Sequence, residues 1–469
     1  MSADKKNIKN WQRAIAGLGI AIGVLLFLLP TPDSWPPRAL PALGLVAIAV
    51  GFWATETIPV HLTSFIFFFL ALVLAIAPAP VVFSGFHSGA VWLVFAGVVI
   101  GIAMQQTGLG TQIAEAIITR FGRSYGGLVV GIGLTGFATA FFMPSAMGRI
   151  VIMTPIIAAI ADRLGYGSES KGRAGLILAF CFCTVVPAMG LLPATVPNVV
   201  FAGAVESIHG ITVRYTDFMA LHLTVAGSLS LVVLLLLSWL LFREPLPDGA
   251  KPVDETGPMA LTGEQKRLAF ILAITLGFWV TDKIHGVAPA WVGLGAAIAC
   301  LLPIMRMVPA KALVDKANYG PWFFVAGIIG LGAVVAETGL GKVLGGLLIE
   351  VVGFAPGADA FSFGALMLLG GLIMLGLNVA GVPAVLTPLA TDIMQATGWP
   401  LETVLMSQIN SFFMVFIPFQ VAPILTGMMI GGVAMRFGLR MCVTYSMIYL
   451  FVIAPINFLW WRSLGMFGS

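Results

Sequence analysis

The chain has 469 residues, 59% of them hydrophobic and 9% charged, whereas a soluble globular chain carries about 25% charge. That balance excludes a soluble globular protein and describes an integral membrane protein whose first partner is the lipid bilayer; 55 glycines and 28 prolines agree, because both are commoner in transmembrane helices than in soluble ones. The net charge of +4 is small and spread along the chain, which leaves no footprint for nucleic acid.

The N-terminus places Lys5, Lys6, Lys9 and Arg13 before the apolar stretch Ala14–Leu29. With no small-residue cleavage site after it, this reads as a retained first span, and the positive-inside rule puts the N-terminus in the cytoplasm. Residues 1–35 are therefore expected to be a cytoplasmic N-terminus and first span. A proline-rich turn leads into two apolar segments, Ala42–Ala54 and Leu62–Ile76, joined by Thr55-Glu56-Thr57-Ile58-Pro59. The next stretch, Ala90–Thr107, holds Gly97 and Gly101 near its middle and reads as either one span or a re-entrant hairpin turning at the glycines. An amphipathic piece, Thr111–Phe121, precedes Gly126–Phe142, and Ile150–Ala161 follows. The polar run Asp162–Arg173 separates these from Leu176–Met189, beyond which Gly190, Pro193 and Pro197 make an unbroken helix unlikely to survive. Phe218–Phe242 is a strong span. The hydrophilic connection Arg243–Arg267 then divides a first repeat, residues 36–242, from a second, residues 268–469, with 243–267 as the connecting loop.

The second half echoes the first. Phe52-Trp53-Ala54-Thr55-Glu56 returns as Phe278-Trp279-Val280-Thr281-Asp282, Trp92 with Ala96-Gly97 returns as Trp322 with Ala326-Gly327, Thr107-Gly108-Leu109-Gly110 returns as Thr338-Gly339-Leu340-Gly341, and Thr154-Pro155 returns as Thr387-Pro388, in one order at nearly one spacing. Internal duplication of this length marks secondary transporters with a site at the repeat interface. Two interrupted apolar stretches occupy matching places, Phe141–Ile156 and Gly376–Leu389. In a bilayer every backbone polar group must be satisfied internally, so such breaks survive only in protein or beside a watery cavity. They are the candidate binding site. Helices resuming near Ala146 and Val379, with Pro144 and Pro383 at the breaks, would aim free N–H groups at one point and favour an anion by about 0.3–1 kcal/mol each. A third pair of breaks, Pro193–Asn198 and Pro418–Pro423, offers Thr195, Asn198 and Gln420.

Trp53-Ala54-Thr55-Glu56-Thr57-Ile58-Pro59 with Thr63-Ser64, the hairpin-like Phe95-Ala96-Gly97 run ending in Thr107-Gly108-Leu109, and Val196-Pro197-Asn198 together resemble the divalent anion/sodium symporter family. The resemblance implies an all-α polytopic membrane protein of two inverted repeats with re-entrant hairpins and broken helices, about 11 transmembrane helices in all. It also implies carriage of dicarboxylate, citrate or sulfate, sodium as coupling ion, a homodimer, and a transport domain sliding past a fixed scaffold. The family's Ser-Asn-Thr signature, which helps form sodium sites and holds substrate carboxylates, corresponds here to Ser145-Ala146-Met147 and Asn378-Val379-Ala380. Ser145, Ala146, Asn378 and Ala380 are thus the candidate sodium positions, and both threonine hydroxyls are absent. Arg149, the one basic residue between Tyr125 and Asp162, is the candidate replacement: a buried cation must face a cavity or a partner, and its donor fork suits carboxylate, sulfonate or sulfate oxygens. It binds the anion directly, stands in for one sodium ion, or is a structural arginine paired to a carbonyl or snorkelling to an interface. The candidate substrate ligands are Ser145, Arg149, Asn378, Thr195, Asn198 and Gln420.

Glu56 and Asp282 sit at equivalent helix ends and read as caps or interfacial pairs. Glu115, Glu337 and Glu350 read as solvated, the five histidines show no ligand spacing, and Trp460-Trp461-Arg462 reads as an interface anchor. No nucleophile and base pair, metal spacing or phosphate loop suggests an enzyme. The expected activity is sodium-coupled transport of a small anion; a sodium-independent carrier of the same fold is the rival, and a cation/proton antiporter would need acids at the breaks, where the sequence has none.

Overall fold

The computed structural model describes residues 2–121, 124–143, 145–245 and 260–468, with the backbone alone for 2–9, 114, 115, 117–119 and 310. Pro144, most of the hydrophilic connection, and the side chains of Lys5, Lys6, Lys9 and Glu115 lie outside the described residues. The described residues are helical, without strands. The first half comprises α1 (Ser2–Leu28), α2 (Ala39–Thr55), α3 (Val60–Val73), α4 (Gly89–Thr107), α5 (Leu109–Phe121), α6 (Tyr125–Ala140), α7 (Ala146–Arg163), α8 (Lys171–Val185), α9 (Val196–His209) and α10 (Tyr215–Phe242). The second half comprises α11 (Gly263–Val280), α12 (Pro289–Leu301), α13 (Gly320–Glu337), α14 (Leu340–Val352), α15 (Asp359–Leu377), α16 (Gly381–Leu386), α17 (Ala390–Thr397), α18 (Leu401–Ser407), α19 (Ala422–Gly431) and α20 (Met435–Ser463). Among the described residues, seven helical segments are long and apolar enough to cross a membrane by length and composition.

The sequence echoes recur as matched hydrogen bonds. Trp53 Nε1 donates to the Val60 carbonyl at 3.0 Å, and Trp279 Nε1 to the Pro289 carbonyl at 3.0 Å. Thr55 and Thr281 donate back to Gly51 and Gly277 at 2.7 Å each, and Thr107 and Thr338 back to Ala103 and Val334 at 2.8 Å each. Gly108 and Gly339, with φ of 67° and 73°, then turn the chain out of α4 and α13 in the left-handed region that glycine adopts freely.

Helix directions are set by contacts along α8. At its start the Tyr125 hydroxyl donates to the Gly172 carbonyl at 3.3 Å, and at its end Thr184 Oγ1 donates to the Gly136 carbonyl at 2.8 Å, so α6 runs parallel to α8. Helix α7 runs the other way: Arg149 near its start bonds Thr184, and Asp162 near its end pairs with Arg173. Helices α6 and α7 are therefore antiparallel arms of a hairpin whose tip is Phe141–Ser145 and whose ends close on a Tyr125–Tyr166 ring contact at 6.1 Å. Helices α15 to α17 form the second hairpin, which ends where it began, with Trp399 Nε1 donating to the Asp359 carboxylate at 2.8 Å. Both interrupted stretches are thus hairpin tips.

The alternative left open at Gly97 and Gly101 resolves as a span, and the hairpin-like reading of Phe95-Ala96-Gly97 is corrected: α4 is one continuous helix of 19 residues. Its ends explain why it does not turn. Ser88 Oγ caps the Ala90 N–H at 3.1 Å, and the Glu206 carboxylate accepts from the Gly89 N–H at 2.9 Å. Two interior glycines weaken such a helix by only about 0.5–1 kcal/mol each.

The expected break after Met189 begins earlier, with α8 ending at Val185. The chain makes two short 3-10 turns, Pro187–Gly190 and Leu192–Ala194, before α9 resumes. In the second half α18 and a following short turn end before an extended strip and the turn Pro418–Gln420, after which α19 resumes. Helix α19 is antiparallel to α8: the Gly431 carbonyl accepts from Arg173 Nε at 3.1 Å, and a Cβ on Gly427 would lie 2.3 Å from Cys181 Sγ. The helix entering the first break and the helix leaving the second therefore run in opposite directions, as expected of an inverted repeat whose broken helices each continue through their break.

Halves interlock rather than lie side by side. Helix α13 packs on α3 and α12 on α4, while α7 packs on α19 and α16 on α9. At the centre, the apolar segment Lys171–Gly190 is 94% buried, against 17% for Asn10–Leu28 at the edge. Helix α1 sits on α2 through small residues, as membrane helices associate: a Cβ on Gly19 would lie 2.9 Å from the Ala47 carbonyl oxygen. Phe69, Leu240, Phe270 and Phe451 are exposed, as a lipid-facing surface requires. Trp461, expected at the interface, is instead fully buried and donates to the Leu221 carbonyl at 3.2 Å.

Candidate functional site

The first hairpin tip is built around Ser145 and Arg149. Ser145 caps α7, its Oγ accepting from the Gly148 N–H at 3.1 Å, and Ala146, buried, is the first helical residue. One turn on, the Arg149 side chain is fully buried. Its Nε donates to Thr184 Oγ1 at 2.9 Å and its Nη2 to the Thr184 carbonyl at 2.7 Å, while Nη1 reaches the Ala194 carbonyl at 3.2 Å and also the Met143 carbonyl. One guanidinium thereby ties the hairpin tip to both edges of the break between α8 and α9. Among the described residues no carboxylate pairs with it.

The break itself is held from within. Asn198 Nδ2 donates to the Met189 carbonyl at 3.1 Å and the Leu191 carbonyl at 2.9 Å, satisfying groups that the missing helical turn leaves open. Its Oδ1 has no hydrogen-bond partner among the described residues. Thr195, also buried, precedes α9 and bonds Met189 Sδ at 3.5 Å without capping the helix.

At the second tip Asn378 adopts φ 57° and ψ 178°, an unusual backbone for a residue with a side chain. Its Oδ1 accepts from the Ala380 N–H at 2.9 Å, which fixes the turn into α16. Helix α16 starts at Gly381, two residues later than expected, and contains Pro383 in its first turn. Gln420, in the second break, is buried; its Oε1 accepts from the Ile417 N–H at 3.0 Å and its Nε2 has no hydrogen-bond partner among the described residues.

The structure thus joins Ser145, Arg149 and the Thr195–Asn198 break in one cluster. Asn378 and Ala380 belong to the second tip, which packs through α16 on α9, and Gln420 belongs to the turn that α15 touches. Sequence reasoning missed Thr184, Met143 and Ala194, which supply the oxygens around Arg149. All three contribute backbone carbonyls, which no residue type announces, and Thr184 adds its hydroxyl. Asp282 accepts from the Tyr215 N–H at 2.6 Å as a cap on α10, and Glu56 ends α2 in an exposed position.

The second tip also borders an apolar crevice. Leu377, Asn378 and Gly381 face Val50 and Trp53 of α2 and Phe324 of α13 across it.

Comparison with known proteins decides the family. Residues 8–467 match the family of the sodium:sulfate symporter transmembrane region. The chain belongs to that family. It is 25% identical over 426 residues to a membrane protein of Cupriavidus necator, covering 85% of this chain and 82% of that one. It is 27% identical over 378 residues to the sodium-dependent dicarboxylate transporter SdcS of Staphylococcus saprophyticus, covering 72% and 71%, and 26% identical over 379 residues to SdcS of Staphylococcus aureus at the same coverage. The fold is similar to that of the YdaH transporter of Alcanivorax borkumensis, with a TM-score of 0.55 and 16% identity over 98% of each chain. This symporter-family chain is a multi-pass membrane transporter of an anion, not an enzyme.

Proposed function

We propose that the protein carries a small divalent or organic anion, of the dicarboxylate, sulfate or sulfonate class, across the cytoplasmic (inner) membrane, with sodium as the coupling ion. Two hairpin tips at equivalent positions, each opening into a helix N-terminus, are the observation that carries this reading. The positive dipole end of α7 favours an anion where the first hairpin meets the broken helix, whereas at α16 the Gly381 and Val382 N–H groups bond the Asn378 and Val379 carbonyls. The backbone at Asn378 and Ala380 is the candidate sodium position in the second half, and Ser145, Asn198, Thr195 and Gln420 are candidate substrate ligands. Relatives named as sodium-dependent dicarboxylate transporters support both the cargo class and the ion.

The working cycle is alternating access of the elevator type, with the hairpins and broken helices sliding as one body past α2, α3, α4, α12 and α13. The apolar crevice between the second tip and α2 and α13 supports this, because an apolar boundary opposes sliding with few directional bonds. A homodimer with a cytoplasmic N-terminus completes the proposal.

The test is uptake of radiolabelled succinate, citrate, sulfate and a sulfonate into proteoliposomes holding the full chain, with an inward sodium, an inward proton or no gradient. Uptake of one of these anions driven by sodium is expected. Uptake indifferent to sodium would transfer the protein to the sodium-independent class, and failure to carry any of them under any gradient would refute anion transport.

A further inference from the structure

The family implies sodium ions held at the hairpin tips, and at the first tip the residues do not leave room for one. Four oxygens converge there: the carbonyls of Met143, Thr184 and Ala194 and the hydroxyl of Thr184. All are neutral. One lies at the C-terminal end of α8, where the helix dipole is negative, and the other carbonyls come from unwound chain at the tip and the break. Unwound carbonyls and half-helix C-termini are the ligands that transporters of this architecture offer to a small cation. What they surround is the Arg149 guanidinium, fully buried and without a carboxylate partner among the described residues.

We infer that Arg149 is a tethered cation occupying the first-half coupling site, so that this carrier binds sodium in its second half alone. Four of its five N–H groups are taken by the protein's own oxygens and one on Nη2 is left, so Arg149 has no two-pronged fork to present to an anion. The second half shows the contrast. Gly136 of α6 is pressed against Thr184, a Cβ there lying 3.2 Å from Thr184 Cβ, and Gly370 of α15 is pressed in the same way against Ser411, a Cβ there lying 2.5 Å from Ser411 Cβ. With Gly136 matched to Gly370 and Ser145 to Asn378, the residue four after Ser145 is Arg149 and the residue four after Asn378 is Val382, buried and uncharged. The second tip therefore carries no built-in charge.

A fixed cation changes the cycle. It travels with the moving body in both directions, so its charge offsets one negative charge of the anion when loaded and remains when the carrier returns empty. Coupling loses one ion, and the loss is permanent.

The test has two arms on the purified full chain, of which only the second rests on the transport reading above. In the first, the melting midpoint of R149A in detergent is followed with millimolar guanidinium, and with sodium against N-methylglucamine. Guanidinium and sodium are expected to raise the midpoint of R149A by several degrees and guanidinium to leave wild type unchanged; equal responses of the two proteins overturn the inference. In the second arm, wild-type uptake of whichever anion it carries is measured against sodium. A Hill coefficient near one is expected, and a value of two or more overturns the inference even where R149A fails to fold. A wild type that carries no anion refutes the transport reading instead, and the first arm still decides this one.

Discussion

Thr184 offers the sharpest test of how the first tip is held together. Its hydroxyl accepts from Arg149 Nε at 2.9 Å and donates to the Gly136 carbonyl at 2.8 Å, in a site without solvent exposure. Thr184→Val keeps shape and volume and deletes both bonds. The bond to the charged group contributes about 1.5–3 kcal/mol, and leaves a guanidinium N–H unpaired when lost. The second bond contributes less, about 0.5–1.5 kcal/mol, because the Gly136 carbonyl retains the Thr139 hydroxyl at 2.9 Å. The sum is a destabilisation of about 2–4.5 kcal/mol, which at about 2 °C per kcal/mol for a large chain lowers the melting midpoint by roughly 4–9 °C. Thr184→Ser keeps the hydroxyl and loses one methyl, about 0.8 kcal/mol, and serves as the control. The assay is the thermal midpoint of the purified protein in detergent, followed by tryptophan fluorescence. If T184V melts at or above the midpoint of T184S, the hydroxyl contributes nothing and the account of Arg149 as a group held by these oxygens fails.

Two further outcomes follow from the packing. Gly370→Ala is expected to lower the midpoint, because the new Cβ would lie 2.3 Å from Ser411 Oγ, whereas Gly364→Ala on the same helix meets open space and should raise it by the helix propensity of alanine over glycine, about 0.8–1 kcal/mol; midpoints that move together would contradict the close approach of α15 to the second broken helix. Trp53→Phe and Trp279→Phe each delete one indole bond of 3.0 Å at equivalent places, so both should destabilise by a similar amount, about 1 kcal/mol or more, in the same melting assay. A loss confined to one of them would mean that the two halves do not use the motif alike.

The membrane class and the duplication were legible because both are written in composition and spacing, and the Trp53 and Trp279 motifs keep their hydrogen bonds as well as their letters. The break after α8 was legible too, since Pro193 and Pro197 forbid continuous helix. What sequence could not separate was a broken span from a hairpin. A local break says only that helix stops; whether the next helix turns back depends on its packing, here Asp162 on Arg173 and Tyr125 on Tyr166, which are tertiary contacts. Gly97 and Gly101 misled in the other direction, because glycine permits a turn without requiring one. The partner of Arg149 was hidden for a related reason. Thr55, Thr107, Thr281 and Thr338 all bond back to the carbonyl four residues earlier, and a threonine in an apolar helix reads as one of these. Thr184 instead reaches across to α6 and to Arg149, a choice made by helix packing alone.

The missing signature and the buried arginine are best understood as one change. A cation deep in an apolar protein costs several kcal/mol unless its donors are matched, and a cage of carbonyl oxygens that evolved without an arginine would need an ion from solution to offset its own repulsion. Placing the charge on Arg149 removes the need for hydroxyl and amide ligands beside it, so Ala146 and Met147 can stand where side-chain oxygens would otherwise be required. Each tip keeps one oxygen-bearing residue, Ser145 in the first half and Asn378 in the second, the latter held in a backbone conformation that few side chains tolerate. The asymmetry between the tips therefore lies in charge alone: Arg149 stands buried in the first and the uncharged Val382 in the second, at equivalent places.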